Sequence, residues 1–157
     1  MKKIYFYAVI LVLLMLGLCS VTFAAGSCSQ TTTGGAEIYQ TEIITFVCTD
    51  GASPGSYPAL GATGLASQAV RGWVTNIDVW EGSPAPTSGT SFTLIASDTG
   101  RDVLGTKGSG AITATPAPLI PPVTGWVNNG TLSPVITGNS VASAVVTIRV
   151  TVWKQKN

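Results

Sequence analysis

The clearest pattern in the chain is a two-residue alternation of apolar and polar side chains near its C-terminus. Between positions 141 and 153 the even positions are all apolar, and the odd positions include Ser143, Thr147, Arg149 and Thr151. Successive side chains of a β-strand point to opposite faces, so a period of two places one set in a core and the other in water. The segment Val141 to Trp153 is therefore predicted to be a strand with one buried face.

Similar patterns predict further strands along the chain. Residues Glu37 to Thr49 carry apolar side chains on both faces towards their end, which indicates a strand that is covered on both sides late in its run. Residues Val70 to Trp80 interleave polar side chains with β-branched and aromatic ones, and residues Phe92 to Ala96 repeat an apolar side chain at every second position.

Turn-forming residues separate these segments. Short strands are predicted at Gly125 to Val127 and at Leu132 to Ile136, joined by a turn at Asn128-Asn129-Gly130, and Gly138-Asn139-Ser140 turns the chain into the last strand. Four prolines between Thr115 and Pro122 exclude a central strand there. No sustained helical period occurs after the N-terminal segment. The fold class predicted is all-β, a single antiparallel β-sandwich of jelly-roll or immunoglobulin-like type that follows an N-terminal signal helix.

The N-terminal segment has the features of a secretory signal. Met1-Lys2-Lys3 is followed by an apolar run and then by small residues, which predicts a Sec signal peptide over residues 1–24, cleaved after Ala24. An uncleaved membrane anchor over residues 4–25 is the alternative, because about 20 apolar residues span a bilayer. A lipoprotein signal fits less well, since the residues before Cys19 and Cys28 make a poor lipobox. The protein is thus expected to be secreted, periplasmic or held at the cell surface.

The predicted mature chain forms one domain with little net charge. A flexible polar leader over residues 25–36, a β-sandwich over residues 37–153 and a polar tail over residues 154–157 are expected. Beyond residue 24 there are six basic and seven acidic residues, a formal net charge of −1. These basic residues are too few and too scattered to bind a phosphate backbone. No nucleic-acid partner is therefore expected.

Two cysteines remain after the signal. In an exported chain Cys28 and Cys48 are expected to form a disulfide that closes a loop of about 20 residues and stabilises the fold by about 3 kcal/mol. Two unpaired thiols are the alternative reading. A metal site is not expected, because the chain has no histidine and too few soft ligands.

Catalytic chemistry has little support in the sequence. The absence of histidine excludes Ser-His-Asp, Cys-His and imidazole-metal arrangements. Nothing selects a glycosidase-like pair among the carboxylates. We therefore expect no catalytic residues, no cofactor and no enzyme activity. The segment Asp98 to Asp102 is expected to form a hairpin turn, in which Asp98 caps backbone amides and Gly100 has a positive φ, with a calcium loop as the alternative.

The tryptophans are the candidate ligand-binding residues. Trp73, Trp80 and Trp126 are possible stacking platforms for a polysaccharide. Trp73 and Trp80 are seven residues apart, an odd separation that puts them on opposite faces of a regular strand. Packing in a core or an interface is therefore favoured over a sugar site.

Several segments together resemble a known group of proteins. The run GWVTNIDVWEG, followed by PAPTSGTSFTLIASDTGRDVLG and later by GTLSPVITGNSVASAVVTIRVTVW, resembles tailed-phage virion structural proteins over roughly residues 43–153. The resemblance implies a β-fold that assembles and implies no activity. The function expected is a non-enzymatic secreted or surface-held structural protein, whose partners are copies of itself or other structural proteins. An extracellular carbohydrate-binding module is the alternative. A membrane would be contacted only through the signal segment, if that segment stays uncleaved.

Overall fold

The computed structural model describes residues 25–34, 41–55, 57–58, 69–112 and 126–154. These residues contain only strands, turns and irregular segments, with no helix among them. The strands are β1 (Ser27–Gly34), β2 (Thr41–Thr49), β3 (Val70–Glu81), β4 (Ser91–Ala96), β5 (Arg101–Asp102), β6 (Trp126–Gly130), β7 (Leu132–Thr137) and β8 (Val145–Lys154). The predicted signal helix lies outside the described residues. Within them, no helix has the length and apolar character needed to cross a bilayer.

The strands form two antiparallel sheets. One sheet has five strands in the order β1-β2-β8-β3-β6, and the other has three in the order β5-β4-β7. Buried apolar residues from both sheets belong to one hydrophobic core. The all-β prediction is confirmed, and two antiparallel sheets around one core are consistent with a β-sandwich.

The inner face of β8 supplies the centre of the core. Val146, Ile148, Val150 and Val152 are buried, as the alternation predicts. Phe92 and Leu94 of β4 approach from the second sheet and are equally buried. Burial of apolar area at about 25 cal/mol per Å² makes this layer the main source of folding free energy.

The side of β2 that points away from the core differs from its prediction. Phe46 and Cys48 are fully buried, but Val47 between them is 39% exposed. The strand is therefore covered on one side only, because the three-stranded sheet packs against a single face of the larger one.

The predicted flexible leader is instead a strand. Residues Ser27–Gly34 form β1, which pairs antiparallel with β2 along its whole length. Cys28 lies directly opposite Cys48, and the two sulfur atoms form a disulfide. The segment buries little apolar area, but antiparallel backbone pairing with β2 and the disulfide hold it in the sheet.

The predicted turn at Asn128-Asn129-Gly130 is also wrong. All three residues belong to β6, which pairs with β3, and Thr131 alone separates β6 from β7 in the other sheet. Thr131 and Ser97 exchange hydrogen bonds at this crossing point. A Cβ atom on Gly130 would lie 2.7 Å from Oδ1 of Asp98, so the glycine is required by close approach rather than by a turn.

The C-terminal end of β8 carries a buried ion pair. Lys154, predicted to begin a polar tail, is the last residue of β8 and pairs with Gly72. Its Nζ lies 2.8 Å from Oε1 of Glu42, whose carboxylate is 1% exposed. Within the described part of the chain neither Glu42 oxygen accepts a hydrogen bond of good geometry, so the Lys154 ammonium is the counter-charge that permits this burial.

Candidate functional site: an aromatic sheet face

The side of the five-stranded sheet that points away from the core is unusually rich in exposed apolar side chains. Trp73 is 50% exposed, Trp153 51%, Val47 39% and Trp80 36%. We call this surface the outer face; it comprises the odd-numbered residues of β1, β2 and β8 together with the residues of β3 that lie opposite them, namely Trp73, Asn76, Asp78 and Trp80. Folding leaves three indole rings in contact with water, which marks the outer face as a candidate interaction surface.

A β-bulge brings two of the tryptophans to the same face. Val74 lies opposite Val152 and Asn76 lies opposite Thr151, so Thr75 is an extra residue in β3. One inserted residue inverts the alternation of every later side chain. The prediction that Trp73 and Trp80 point to opposite faces is therefore wrong, and both belong to the outer face.

The register places the tryptophans at two ends of this face. Trp73 lies directly opposite Trp153, and Trp80 lies opposite Thr147, which in turn lies opposite Val47. Directly opposed residues have Cβ atoms about 5 Å apart, so each end is a continuous patch. The third candidate tryptophan, Trp126, lies in β6, and its backbone pairs with that of Trp73 in β3. The side chain of Trp126 lies outside what the structure describes.

An ordered polar group occupies the middle of the outer face. Nε and Nη2 of Arg149 donate to Oδ2 of Asp78 at 3.2 and 3.1 Å, and Nδ2 of Asn76 donates to Oδ1 of the same carboxylate at 3.3 Å. The Arg149 guanidinium also lies 4.4 Å from the centre of the Trp80 ring. The guanidinium is thus held between a carboxylate and an indole, which fixes the Trp80 side chain against the sheet.

The two carboxylates near the end of β3 lie on different faces of the sheet. Asp78 lies opposite Arg149 on the outer face, whereas Glu81 lies opposite Val146, a core residue. Asp102 accepts hydrogen bonds from the amides of Leu94, Leu104 and Thr106. In the described part of the chain, no group of three His, Cys, Asp or Glu residues is placed to hold a metal ion.

The turn at residues 98–102 forms the predicted hairpin, and Asp102 adds a cap beyond it. Gly100 has a φ of 65°, as expected, and β4 and β5 pair across the turn. The carboxylate that caps the amides of Leu94, Leu104 and Thr106 is that of Asp102. Asp102 takes this role because it follows the turn, where its oxygens face the amides of both β4 and the next loop.

At the end of the sandwich near Asp50, a buried polar cluster joins three loops, and the sequence did not indicate it. Asp50 accepts hydrogen bonds from the amides of Gly51 and Gly55 and from Nδ2 of Asn139. Asn139 also accepts a bond from the amide of Thr87. Because both side chains are more than nine-tenths buried, this cluster holds the loops in place rather than offering a site to solvent.

Tyr57 closes this cluster. Its hydroxyl donates to the carbonyl of Ala144 at 3.1 Å. Burial, and secondarily the negative charge of Asp50, raises the pKa of Tyr57 to about 12. The hydroxyl therefore stays protonated and serves as a structural donor.

Comparison of the chain with family models, with curated proteins and with solved structures returns no match.

Proposed function

We propose that this chain is a non-enzymatic structural protein that acts by packing against copies of itself or against other structural proteins, in the manner of the phage virion subunits that its sequence resembles. The observation that carries the proposal is the outer face, where Trp73, Trp80 and Trp153 stay exposed although the core is complete without them. Exposed aromatic clusters on an otherwise well-packed sheet are typical of surfaces that are buried by association. We also propose that the two sheets form a sandwich of jelly-roll or immunoglobulin-like type.

Low charge supports association. The outer face of the described strands β2, β3 and β8 combines Asp78 and Arg149 in an ion pair and otherwise consists largely of Thr, Val, Ile and Trp side chains. A surface with little net charge does not repel a second copy. Sedimentation velocity over a wide range of concentrations, with and without EDTA, tests the proposal. Self-association independent of EDTA is expected, and a strict monomer would direct attention to a different partner.

The compartment is the second part of the proposal. A cleaved signal peptide would deliver the chain to an oxidising compartment, where the disulfide between Cys28 and Cys48 persists. Intact-mass measurement on exported protein is expected to show loss of residues 1–24 and about two mass units less than the reduced chain. Retention of the complete N-terminus in membranes would favour the anchor over residues 4–25.

A carbohydrate-binding module is a second candidate, and the bulge at Thr75 favours it. With Trp73 and Trp80 on one face, and Asn76 and Asp78 between them, the outer face offers stacking surfaces and hydrogen-bonding groups along one strand. A glycan-array screen of the wild type beside Trp73→Ala and Trp80→Ala variants separates the two functions. A monomer that binds one defined glycan, and loses it in both variants, would establish the module instead.

A further inference from the structure

We propose that two copies of this chain pack outer face against outer face as a symmetric dimer, with a two-fold axis that runs between β3 and β8 and parallel to them. This dimer rests on the proposed function, and it assigns both the partner and the surface. Sheets that pack face to face keep their strands within about 30° of each other, so the central pair of strands stays close to the axis.

The proposed axis defines which part of the outer face is covered. β3 and β8 lie over each other and β2 lies over β6, whereas β1 extends beyond the contact. Two strands of about ten residues and two that overlap over about five, at about 3.3 Å per residue and about 4.8 Å between strands, give roughly 480 Å² of flat area. A stable interface buries about 800 Å² of accessible surface on each partner. The protruding indoles of Trp73, Trp80 and Trp153 add accessible area beyond the flat projection.

The charges in the middle of the face select the axis. Asp78 of β3 and Arg149 of β8 are directly opposite in neighbouring strands. A two-fold axis between those strands places Arg149 of each copy over Asp78 of the other, and the four charges then alternate in sign. An axis across the strands would place each carboxylate over its equivalent, which is repulsive. Arg149 has five N–H donors and uses Nε and Nη2 within its own chain, so donors remain for the second carboxylate.

The same axis matches the aromatic ends. Trp73 and Trp153 are also directly opposite on β3 and β8. The rotation therefore places Trp73 of one copy over Trp153 of the other, and Trp80 over Thr147. In a symmetric interface each such contact occurs twice, so a few residues contribute doubly to the affinity.

Charge reversal at the centre tests the dimer. The D78R variant has two cations in the middle of the face and R149D has two anions, so each is expected to weaken its own dimer by more than about a hundredfold in Kd. An equimolar mixture of the two variants is expected to form a heterodimer, because each copy then faces opposite charges. Sedimentation velocity measures all three samples. The variants S88R and S88D, at an exposed turn residue outside the sheet, are the matched controls and are expected to dimerise like the wild type.

The outcomes distinguish this dimer from the broader function. A mixture that restores association supports the face and the axis, provided that circular dichroism shows both variants folded. Wild-type association that persists in D78R and R149D, or a mixture that stays monomeric, overturns the dimer and leaves assembly through another surface. A wild type that remains monomeric throughout overturns both self-association and the dimer. If either variant fails to fold, the milder pair Asp78→Asn and Arg149→Gln replaces it. Unchanged association in both members of this pair would equally contradict the central charge contact.

Discussion

The two faces of the five-stranded sheet are made from alternate residues of the same strands, yet they serve different purposes. On β8, Ile148 is fully buried and packs in the core, while its neighbour Arg149 stacks on Trp80 in contact with solvent. The inner face contributes the folding free energy. The outer face holds three exposed indoles whose burial is not needed for folding, and this difference makes it the surface on which the proposed function depends.

The strongest way to break the comparison is to place a charge on each face of β8. Ile148→Asp puts an uncompensated carboxylate in the core and is expected to destabilise the fold by at least about 3 kcal/mol or to unfold it. Thr147→Asp, on the outer face, is expected to cost less than about 1 kcal/mol. Chemical denaturation of both variants measures the difference. Equal midpoints would show that the faces are assigned wrongly.

The second test concerns Glu42, a charge on the core side of β2. Lys154→Met removes its counter-ion and is expected to destabilise the protein by about 3 kcal/mol, because a buried carboxylate loses the cation that lies against it. Replacing both partners, with Glu42→Leu and Lys154→Met together, is expected to recover most of that loss. Thermal and urea melts of the single and double variants complete the cycle. A harmless single variant would mean that water or another group already neutralises Glu42.

The third test compares an aromatic residue on each face. Phe46→Ala leaves a cavity in the core and is expected to cost about 3–5 kcal/mol. Trp80→Ala, although it removes a larger ring, is expected to cost only about 1 kcal/mol, which includes the stacking with Arg149. Association measured on the same samples should fall in the Trp80 variant. If Trp80→Ala were as damaging to stability as Phe46→Ala, the outer indoles would be structural rather than functional.

The smallest expected effect is a pH dependence at the loop cluster. Burial, and secondarily the negative charge of Asp50, raises the pKa of Tyr57 in the folded state from its ordinary value of 10.0 to about 12. The folded protein therefore holds this proton more tightly than the unfolded chain, and the resulting stability is present below pH 10 and is lost as pH rises towards 12. In Tyr57→Phe this alkaline loss should be smaller. Urea melts of both proteins at pH 9 and near pH 11 give the unfolding free energy at each pH. An equal loss of unfolding free energy in the two proteins would rule out Tyr57 as the cause.

The alternation of side chains predicted the strands well and the surface poorly. The buried positions of β8, such as Val146 and Ile148, follow directly from a period of two, as do Phe92 and Leu94 of β4. An extra residue in a strand inverts the alternation for every residue that follows it, so the pattern then predicts the wrong face. Nothing about Thr75 distinguishes it from a regular strand residue, so counting residues put Trp73 and Trp80 on opposite faces when they share one.

Long-range contacts explain the other differences between prediction and structure. Asn128-Asn129-Gly130 has the composition of a hairpin turn, yet backbone pairing with β3 makes it a strand, and the glycine is needed because Asp98 lies against it. Glu42 sits in the core-facing set of β2, where an acidic side chain is unexpected until Lys154, more than one hundred residues later, supplies its counter-charge. Local patterns do not contain either partner.

The disulfide has a mechanical consequence for a load applied at the N-terminal end of the sheet. A pull on the chain before Cys28 enters β1 at its second residue and passes through the sulfur bridge to Cys48. The segment between the two cysteines is bypassed, so β1 cannot be unzipped from β2 one hydrogen bond at a time. The load instead reaches the ladder between β2 and β8, which runs from Thr41 to Thr49. Tension from that side is therefore carried by a central strand of the larger sheet rather than by its edge.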